Sequence, residues 1–356
     1  MSHATFVVRI SGDEPGQPRG TVICVRTGER FAFRGLRDAV DVLTHAIASE
    51  MSLSSEVRSD MRPPPYSPIV DRPPLRWPGG ARVAVWPMLA IEHFVWGQPG
   101  TAIQPLLTEH PEVANWAWRD YGNRVGVWRV FDLFDALNVP LTVCLSAEAC
   151  ERYPRIVEAI KAHPAWAVLP HGLNNNTAGH RGLTRTAERA RIDQTRVMIQ
   201  EAFGKPAPGF MVPNWSMTEE TFDVLLESGV RYTTDWMNDD QPYWYELPRG
   251  RLLNIPYSLE TNDYTLVLTA RLPGPEVARA VIDHVEQLRA DGTVHGRCMA
   301  IGIHSFISGQ PLRARYVREY LAHMKARDDV WLTTADAISD LFADGGQLCR
   351  RLQRGV

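Results

Sequence analysis

Polar and ionisable side chains gather just past short apolar runs that read as strands. Glu92 and His93 follow Arg82 to Ala90, His171 and Asn175 follow Trp166 to Leu169, and Asn214 and Trp215 follow Gly209 to Val212. Asp235 and Trp236 follow Arg231 to Thr234, Asn262 and Asp263 stand beyond Leu252 to Pro256, and His304 directly follows Ile303. Side chains of this kind at the same end of several strands are what a convergent catalytic pocket requires, and carboxylates with imidazoles are groups that move protons near neutral pH. His93, His171 and Glu92 could also supply three ligands with one open position, the pattern of a catalytic zinc. Each residue alone has a plainer reading. Asp or Asn after a strand is commonly a helix cap or turn former, which applies to Asn214, Asp235 and Asp263. His163, His180 and His284 fall within or beside helical stretches and read as surface residues.

The elements that must position these groups alternate in type. Beyond residue 80, strands at Arg82–Ala90, Leu141–Leu145, Trp166–Leu169, Gly209–Val212, Arg231–Thr234, Leu252–Pro256, Met299–Ile303 and Val330–Thr334 are separated by helical spacing. The helices are expected around Val125–Leu137, Tyr153–His163, Arg185–Phe203, Thr218–Ser228, Pro275–Ala290, Arg313–Arg327 and Ala335–Phe342. Repeated strand–helix alternation means a parallel sheet, and this number of strands in one domain favours closure into a distorted (β/α) barrel of about seven strands. The loops after the strands' C-terminal ends then form the active face.

Residues 1–50 read as a small α+β unit. Phe6–Ile10 and Thr21–Val25 alternate as strands, Thr27-Gly28-Glu29 marks a turn, and Ala39, Val40, Val42, Leu43, Ala46 and Ile47 give a helix one apolar face. Residues 51–79 are too rich in proline to pair as a central strand and read as an extended surface connector, so the barrel is expected over 80–346.

A net charge of -3 gives no reason to expect nucleic acid or anionic membrane as partner, and no apolar run approaches the roughly 20 residues of a membrane span. The start of the chain lacks the basic and apolar pattern of a secretory signal. Five cysteines, Cys24, Cys144, Cys150, Cys298 and Cys349, are odd in number and scattered. Free thiols in a reducing cytoplasm are expected.

Several segments, in order, resemble the polysaccharide deacetylase (NodB-homology) superfamily, within it the branch of metal-independent allantoinases and related cyclic-amide hydrolases. They are Arg76-Trp-Pro-Gly-Gly-Ala-Arg-Val-Ala, Tyr121-Gly-Asn-Arg-Val-Gly-Val-Trp-Arg, Asp239-Asp-Gln-Pro-Tyr-Trp, Ile255-Pro-Tyr-Ser-Leu-Glu-Thr-Asn-Asp and Ile303-His-Ser-Phe-Ile-Ser-Gly-Gln-Pro-Leu-Arg. The likeness spans about Arg72 to Phe342. Metal-dependent members carry Thr-Phe-Asp-Asp after the first strand, where this chain has Ala90-Ile91-Glu92-His93. Their second motif holds two histidines one helical turn apart; here His171 is kept and Asn175 stands in the other place. Met211-Val-Pro213 lacks the arginine of their third motif.

The resemblance therefore implies an enzyme that hydrolyses C–N bonds and opens a small cyclic amide of allantoin, hydantoin or imide type. Glu92 takes the place of the base and His304 that of the acid. His93, His171, Asn175, Asn214, Trp215, Asp235, Trp236 and Asn262 are the expected substrate contacts, and Trp96, Trp116, Trp118 and Trp244 are further candidates for the pocket wall. No cofactor is expected, because Asn175 is a poor zinc ligand and ligation by Glu92 would remove the base; zinc or another divalent ion on His93, His171 and Glu92 is the alternative. Without a Lewis acid, a carbonyl activated by neighbouring acyl groups is the expected electrophile. Rival readings are a metal-dependent N-deacetylase of an N-acetylated sugar and a non-catalytic binding protein on the same barrel; for Glu92 alone, the rival is an ion pair with an arginine such as Arg124. The resemblance further implies a homo-oligomer, often a tetramer.

Overall fold

Alternating Val, Ile, Phe and Thr side chains suit a pleated backbone, and the N-terminal unit opens with three such strands. They are β1 (Phe6–Ser11), β2 (Arg19–Cys24) and β3 (Arg30–Arg34), an antiparallel sheet in that order. In this computed structural model, residues 6–11, 19–24, 30–35, 37–45, 63–98, 113–176 and 182–343 are described. Helix α1 (residues 37–45) follows, and His45 meets Phe31 edge-on at 6.3 Å. Strand β3 was not anticipated, and Val40, expected on the packed face of α1, is 62% exposed. The expected turn at residues 27–29 lies outside the described residues.

The main domain is built from β4 (Val83–Ile91), β5 (Thr142–Leu145), β6 (Ala167–Pro170), β7 (Gly209–Phe210), β8 (Tyr232–Thr233), β9 (Tyr243–Leu247), β10 (Gly250–Asn254), β11 (Arg297–His304) and β12 (Val330–Leu332). One sheet runs β11-β4-β5-β6, with β12 also on β4; the other runs β7-β8-β10-β9. Every pairing in them is parallel except the β9–β10 hairpin. Two thin seams join the sheets. The Met211 N–H donates to the Pro170 carbonyl across β6 and β7, and an Asn262–Gly302 bridge ties the segment after β10 to β11. The result is the expected distorted β/α barrel of about seven strands.

Helices α2 (Val113–Tyr121), α3 (Val127–Leu137), α4 (Ala149–Arg152), α5 (Pro154–Lys161), α6 (Arg185–Phe203), α7 (Thr221–Glu227), α8 (Gly274–Asp291), α9 (Pro311–Lys325) and α10 (Ala335–Ala343) surround it. Among the described residues, no helix is long and apolar enough to cross a membrane. Helix α3 shows why they pack: Val127, Val130, Phe131 and Phe134 recur at helical spacing and are all buried. Strand β4 is buried along its whole length, and its alternation divides two cores. Val83, Val85, Leu89 and Ile91 face the helices, while Ala84, Trp86, Met88 and Ala90 face the barrel interior.

The connector is less superficial than expected. Residues 63–80 form two short 3₁₀ turns, but Trp77 is 2% exposed and lies against Trp331 and Phe342 at 5.9 and 6.4 Å. Its indole N–H donates to the Arg297 carbonyl at 2.6 Å. Arg72 ion-pairs with Asp239 at 2.6 Å. Proline forbids a strand here without forbidding an anchor. Trp77→Ala is expected to cost about 3–5 kcal/mol, from lost transfer energy and the cavity left behind; a urea melt showing less than about 1 kcal/mol would mean the connector is not anchored there.

Candidate active site

Parity along β4 decides which side chains can meet. Glu92 stands one residue past the strand and shares the inward parity of Met88 and Ala90, whereas His93 takes the outward one. The Glu92 carboxylate accepts the Asn175 side-chain N–H at 2.6 Å, and its Oε1 lies 3.9 Å from His171 Nε2. Asn175 is held from three directions, since its Oδ1 accepts the Ser146 hydroxyl at 2.7 Å and its backbone N–H donates to the His93 carbonyl at 2.9 Å. His171 places Nδ1 3.0 Å from the Met211 carbonyl. A carbonyl only accepts, so Nδ1 carries a proton and Nε2 is the nitrogen on the side of Glu92.

His304 ends β11. Its Nδ1 is 2.6 Å from Asp263 Oδ1, and the other carboxylate oxygen accepts the His304 backbone N–H at 2.8 Å and the Ser308 hydroxyl at 2.6 Å. Burial alone would push the imidazolium pKa down, but the Asp263 charge and hydrogen bond outweigh it, with Glu92 adding and Arg119 opposing. The net result is a histidine raised above its ordinary value. Asp263 also fixes the tautomer, so Nε2 is the position that exchanges a proton.

Glu92, His171, Asn175, Asn214, Trp215, Asn262 and His304 line one cavity of about 190 Å³. Phe94, Arg119, Tyr257, Tyr264 and Phe306 complete its walls, with Met88, Ala90, Cys144 and Met211 among the apolar lining. Asn262 donates to the Tyr257 hydroxyl at 3.0 Å, leaving that phenol free to donate in turn; burial and the Asp263 charge hold its pKa well above the usual phenol value. Asn214 and Trp215 have φ of 52° and 48°, a left-handed pair costing about 1–3 kcal/mol each outside glycine. The Trp215 ring lies 5.8 Å from Tyr257, and its buried indole N–H has no acceptor among the described residues.

Other expected site residues stand apart. His93 turns to the Tyr153 hydroxyl at 3.1 Å and Glu148 at 3.9 Å, and burial lowers its pKa. Asp235 is a buried anchor, accepting the Val212 N–H at 3.0 Å and the Thr233 hydroxyl, with its pKa pushed up to about 7 by burial. Trp236 packs against Phe222 and Tyr245. Trp96 meets Trp116, Trp118 meets Phe306, and Trp244 lies under Arg251, so none of these four lines the cavity. Arg124 pairs with Asp120 rather than with Glu92. His163 is half-buried, stacked on Trp166 and paired with Asp135 at 2.8 Å, and His284 is half-buried too, so neither is a plain surface residue; His180 lies outside the described residues. Cys144, Cys150 and Cys298 are free thiols.

The donor set does not fit a three-ligand cation. His93 faces away, and the Asn175 amide is occupied at both ends by Glu92 and Ser146. Among the described residues, no group of three or more His, Cys, Asp or Glu side chains is arranged to hold a metal.

A parallel barrel bearing a carboxylate and two histidines at its C-terminal mouth defines the class, and comparison places it more closely. Residues 118–233 match the family model of polysaccharide deacetylase. A polysaccharide deacetylase homologue from Schizosaccharomyces pombe is 25% identical over 247 residues, 63% of this chain and 74% of that protein. The crystal structure of PuuE allantoinase superposes with a TM-score of 0.71 at 25% identity, covering 80% of this chain and 99% of that one. A probable polysaccharide deacetylase from Pseudomonas aeruginosa PAO1 gives 0.69 at 25% identity, covering 76% and 94%. Residues 118–233 are thus similar to the polysaccharide deacetylase family, and the fold is shared with an allantoinase and a probable polysaccharide deacetylase. At this level the comparisons support a hydrolase of carbon–nitrogen bonds.

Were His304 to act as an acid it would have to be protonated, and the Asp263–His304 pair would then set an alkaline limit. Asp263→Asn removes the charge that raises the His304 pKa, and the alkaline limb of kcat is expected to move to lower pH. An unmoved limb in a folded variant would separate His304 from proton donation.

Proposed function

We propose that this chain opens a small cyclic amide of the allantoin, hydantoin or imide type by general acid–base hydrolysis, with Glu92 as base and His304 as acid. The observation that carries the reading is the facing of two differently equipped proton-transfer groups on one small cavity. Glu92 is hydrogen-bonded by an amide that cannot take its proton, while His304 is backed by a carboxylate that favours its charged form.

Glu92 accepts a proton from water, whose oxygen bonds to the ring carbonyl carbon. The tetrahedral oxyanion that forms needs hydrogen-bond donors; Tyr257 and Trp215 are the neutral donors on the cavity wall suited to this. As the carbon–nitrogen bond breaks, the electron pair leaves with nitrogen, and His304 supplies its proton. His171 lines the same cavity, with Nδ1 fixed on the Met211 carbonyl, and suits a hydrogen bond to the substrate ring. The cavity volume of about 190 Å³ is below the roughly 300–1,000 Å³ of ordinary ligand pockets, which favours one compact ring over a polymer.

Two measurements test this reading. A panel of allantoin, hydantoin, dihydrouracil and succinimide should include a substrate whose turnover is the same with and without chelator, while chitooligosaccharides are not deacetylated; the reverse pattern would replace it with sugar deacetylation. Glu92→Gln should fold normally and lose about a hundredfold to ten-thousandfold in kcat, as expected for removal of a general base; near-normal turnover would remove Glu92 from the reaction.

A further inference from the structure

Proton transfer would set the scissile amide between Glu92 and His304, so any substituent on the ring must lie against another part of the cavity. One side of it is closed. Phe94, Arg119 and Phe306 are almost fully buried there, and behind them α2 passes into a π-turn, Gly122–Gly126, laid directly on the segment after β11. A Cβ at Gly126 would overlap the Ser305 carbonyl, and one at Gly122 would meet the Phe306 backbone nitrogen at 2.7 Å, so that wall cannot recede. The floor is closed too, since Met88, Ala90, Cys144 and Met211 belong to the packed barrel interior.

The mouth is different. Leu259 is 39% exposed, Trp215 and Tyr264 are part-exposed, and all three line the cavity. An exposed leucine alone means little. The side chains on either side of it give it meaning: Ser258 and Glu260 line the neighbouring cleft beyond Tyr257, together with Asp239 and Asp240, whereas Leu259 lines the cavity of Glu92 and His304. The backbone thus turns the apolar side chain of this segment toward the site and the polar ones away. The segment is tied to itself. The Glu260 N–H donates to the Ser258 hydroxyl at 3.1 Å, the Asn262 N–H to the Leu259 carbonyl at 3.4 Å and the Tyr264 N–H to the Asn262 side-chain oxygen at 2.8 Å. Across the mouth the Trp215 ring is 5.8 Å from Tyr257, and the Tyr264 ring is 5.9 Å from His304.

We propose that Leu259, Trp215 and Tyr264 form a subsite for an apolar substituent, so that the preferred ring is a hydantoin or imide bearing an alkyl group. This assignment rests on the hydrolase reading above and names its substrate class. An alkyl group seated on Leu259 removes apolar surface of both partners from water, a gain that an unsubstituted ring cannot supply. None of the three side chains carries a charge, so an ionised substituent meets no counter-charge in the subsite. A ureido group, the substituent of allantoin, would give up water against Leu259 without a hydrogen bond in return.

The test keeps one ring and changes one substituent: hydantoin, 5-isopropylhydantoin and allantoin, which is the 5-ureido member. The wild-type enzyme should favour the isopropyl ring over both others by about tenfold or more in kcat/KM. Leu259→Asn should collapse that ratio, and Leu259→Met should keep part of it. Calorimetry with Glu92→Gln, whose mouth is intact, reads the same order as affinity without turnover. Tighter binding of 5-isopropylhydantoin that is lost when Leu259→Asn is added supports the subsite. Hydantoin or allantoin bound as tightly overturns it, as does no binding of any of the three, and neither result depends on a Leu259 variant folding. An isopropyl preference in binding with no ring hydrolysed by wild type would sink the hydrolase reading and leave the subsite standing.

Discussion

Strands β4 and β11 pair in parallel over eight consecutive positions, from Arg297 beside Val83 to His304 beside Ala90. Neighbouring strands lie about 4.8 Å apart and side chains alternate faces, so this register alone brings the ends of two segments two hundred residues apart in the chain to one rim. A slip of one residue would send His304 to the helix side and an apolar neighbour into the cavity. The buried apolar faces of both strands enforce the register: Ala84, Trp86, Met88 and Ala90 interleave with Cys298 and Ala300 inside, while Val83, Val85 and Leu89 meet Met299, Ile301 and Ile303 outside. Packing energy spent on the core is therefore what aligns the chemistry.

The site divides its electrostatics between two arrangements. On one side a carboxylate is held by an amide donor that is itself pinned by Ser146, so its lone pairs are oriented by a neutral group. On the other an imidazole is fixed by a buried carboxylate that accepts three hydrogen bonds from the His304–Ser308 turn. Asn175 is central to the contrast. At the position where the resemblance leads one to expect a histidine, the Asn175 amide ties the Glu92 carboxylate to Ser146.

Much of the scaffold was legible because periodicity and punctuation agreed. Helix α6 runs from Arg185 to Phe203 as its pattern predicts, opened by the Thr184 hydroxyl accepting the Ala187 N–H and closed by left-handed Gly204. Strands β3 and β9 are short, five residues each and only partly buried, and carry too few alternations to stand out from the turns beside them until a partner strand is present. Helix α2 was passed over as part of a long loop, and with it Arg119. For Asp263 the sequence leaves a turn former and a pocket residue equally open; only three-dimensional proximity to a histidine 41 residues onward shows what it holds. His93 is a different case. Strand parity already separated it from Glu92, but neighbouring polar residues invite being counted together.

The π-turn between α2 and α3 has a consequence for how this protein can vary. It widens the helix by one residue over Gly122–Gly126 and aims Asn123 so that its side-chain N–H reaches the Glu92 carbonyl at 2.8 Å. Deleting one residue there would restore an ordinary, more regular helix and rotate everything upstream by about 100° relative to the barrel. Arg119 would leave the cavity wall and Asn123 would lose the backbone it holds. The length of this rod is thus set by aim rather than by helical stability, and insertions or deletions within it should be far rarer than in the loops that flank it.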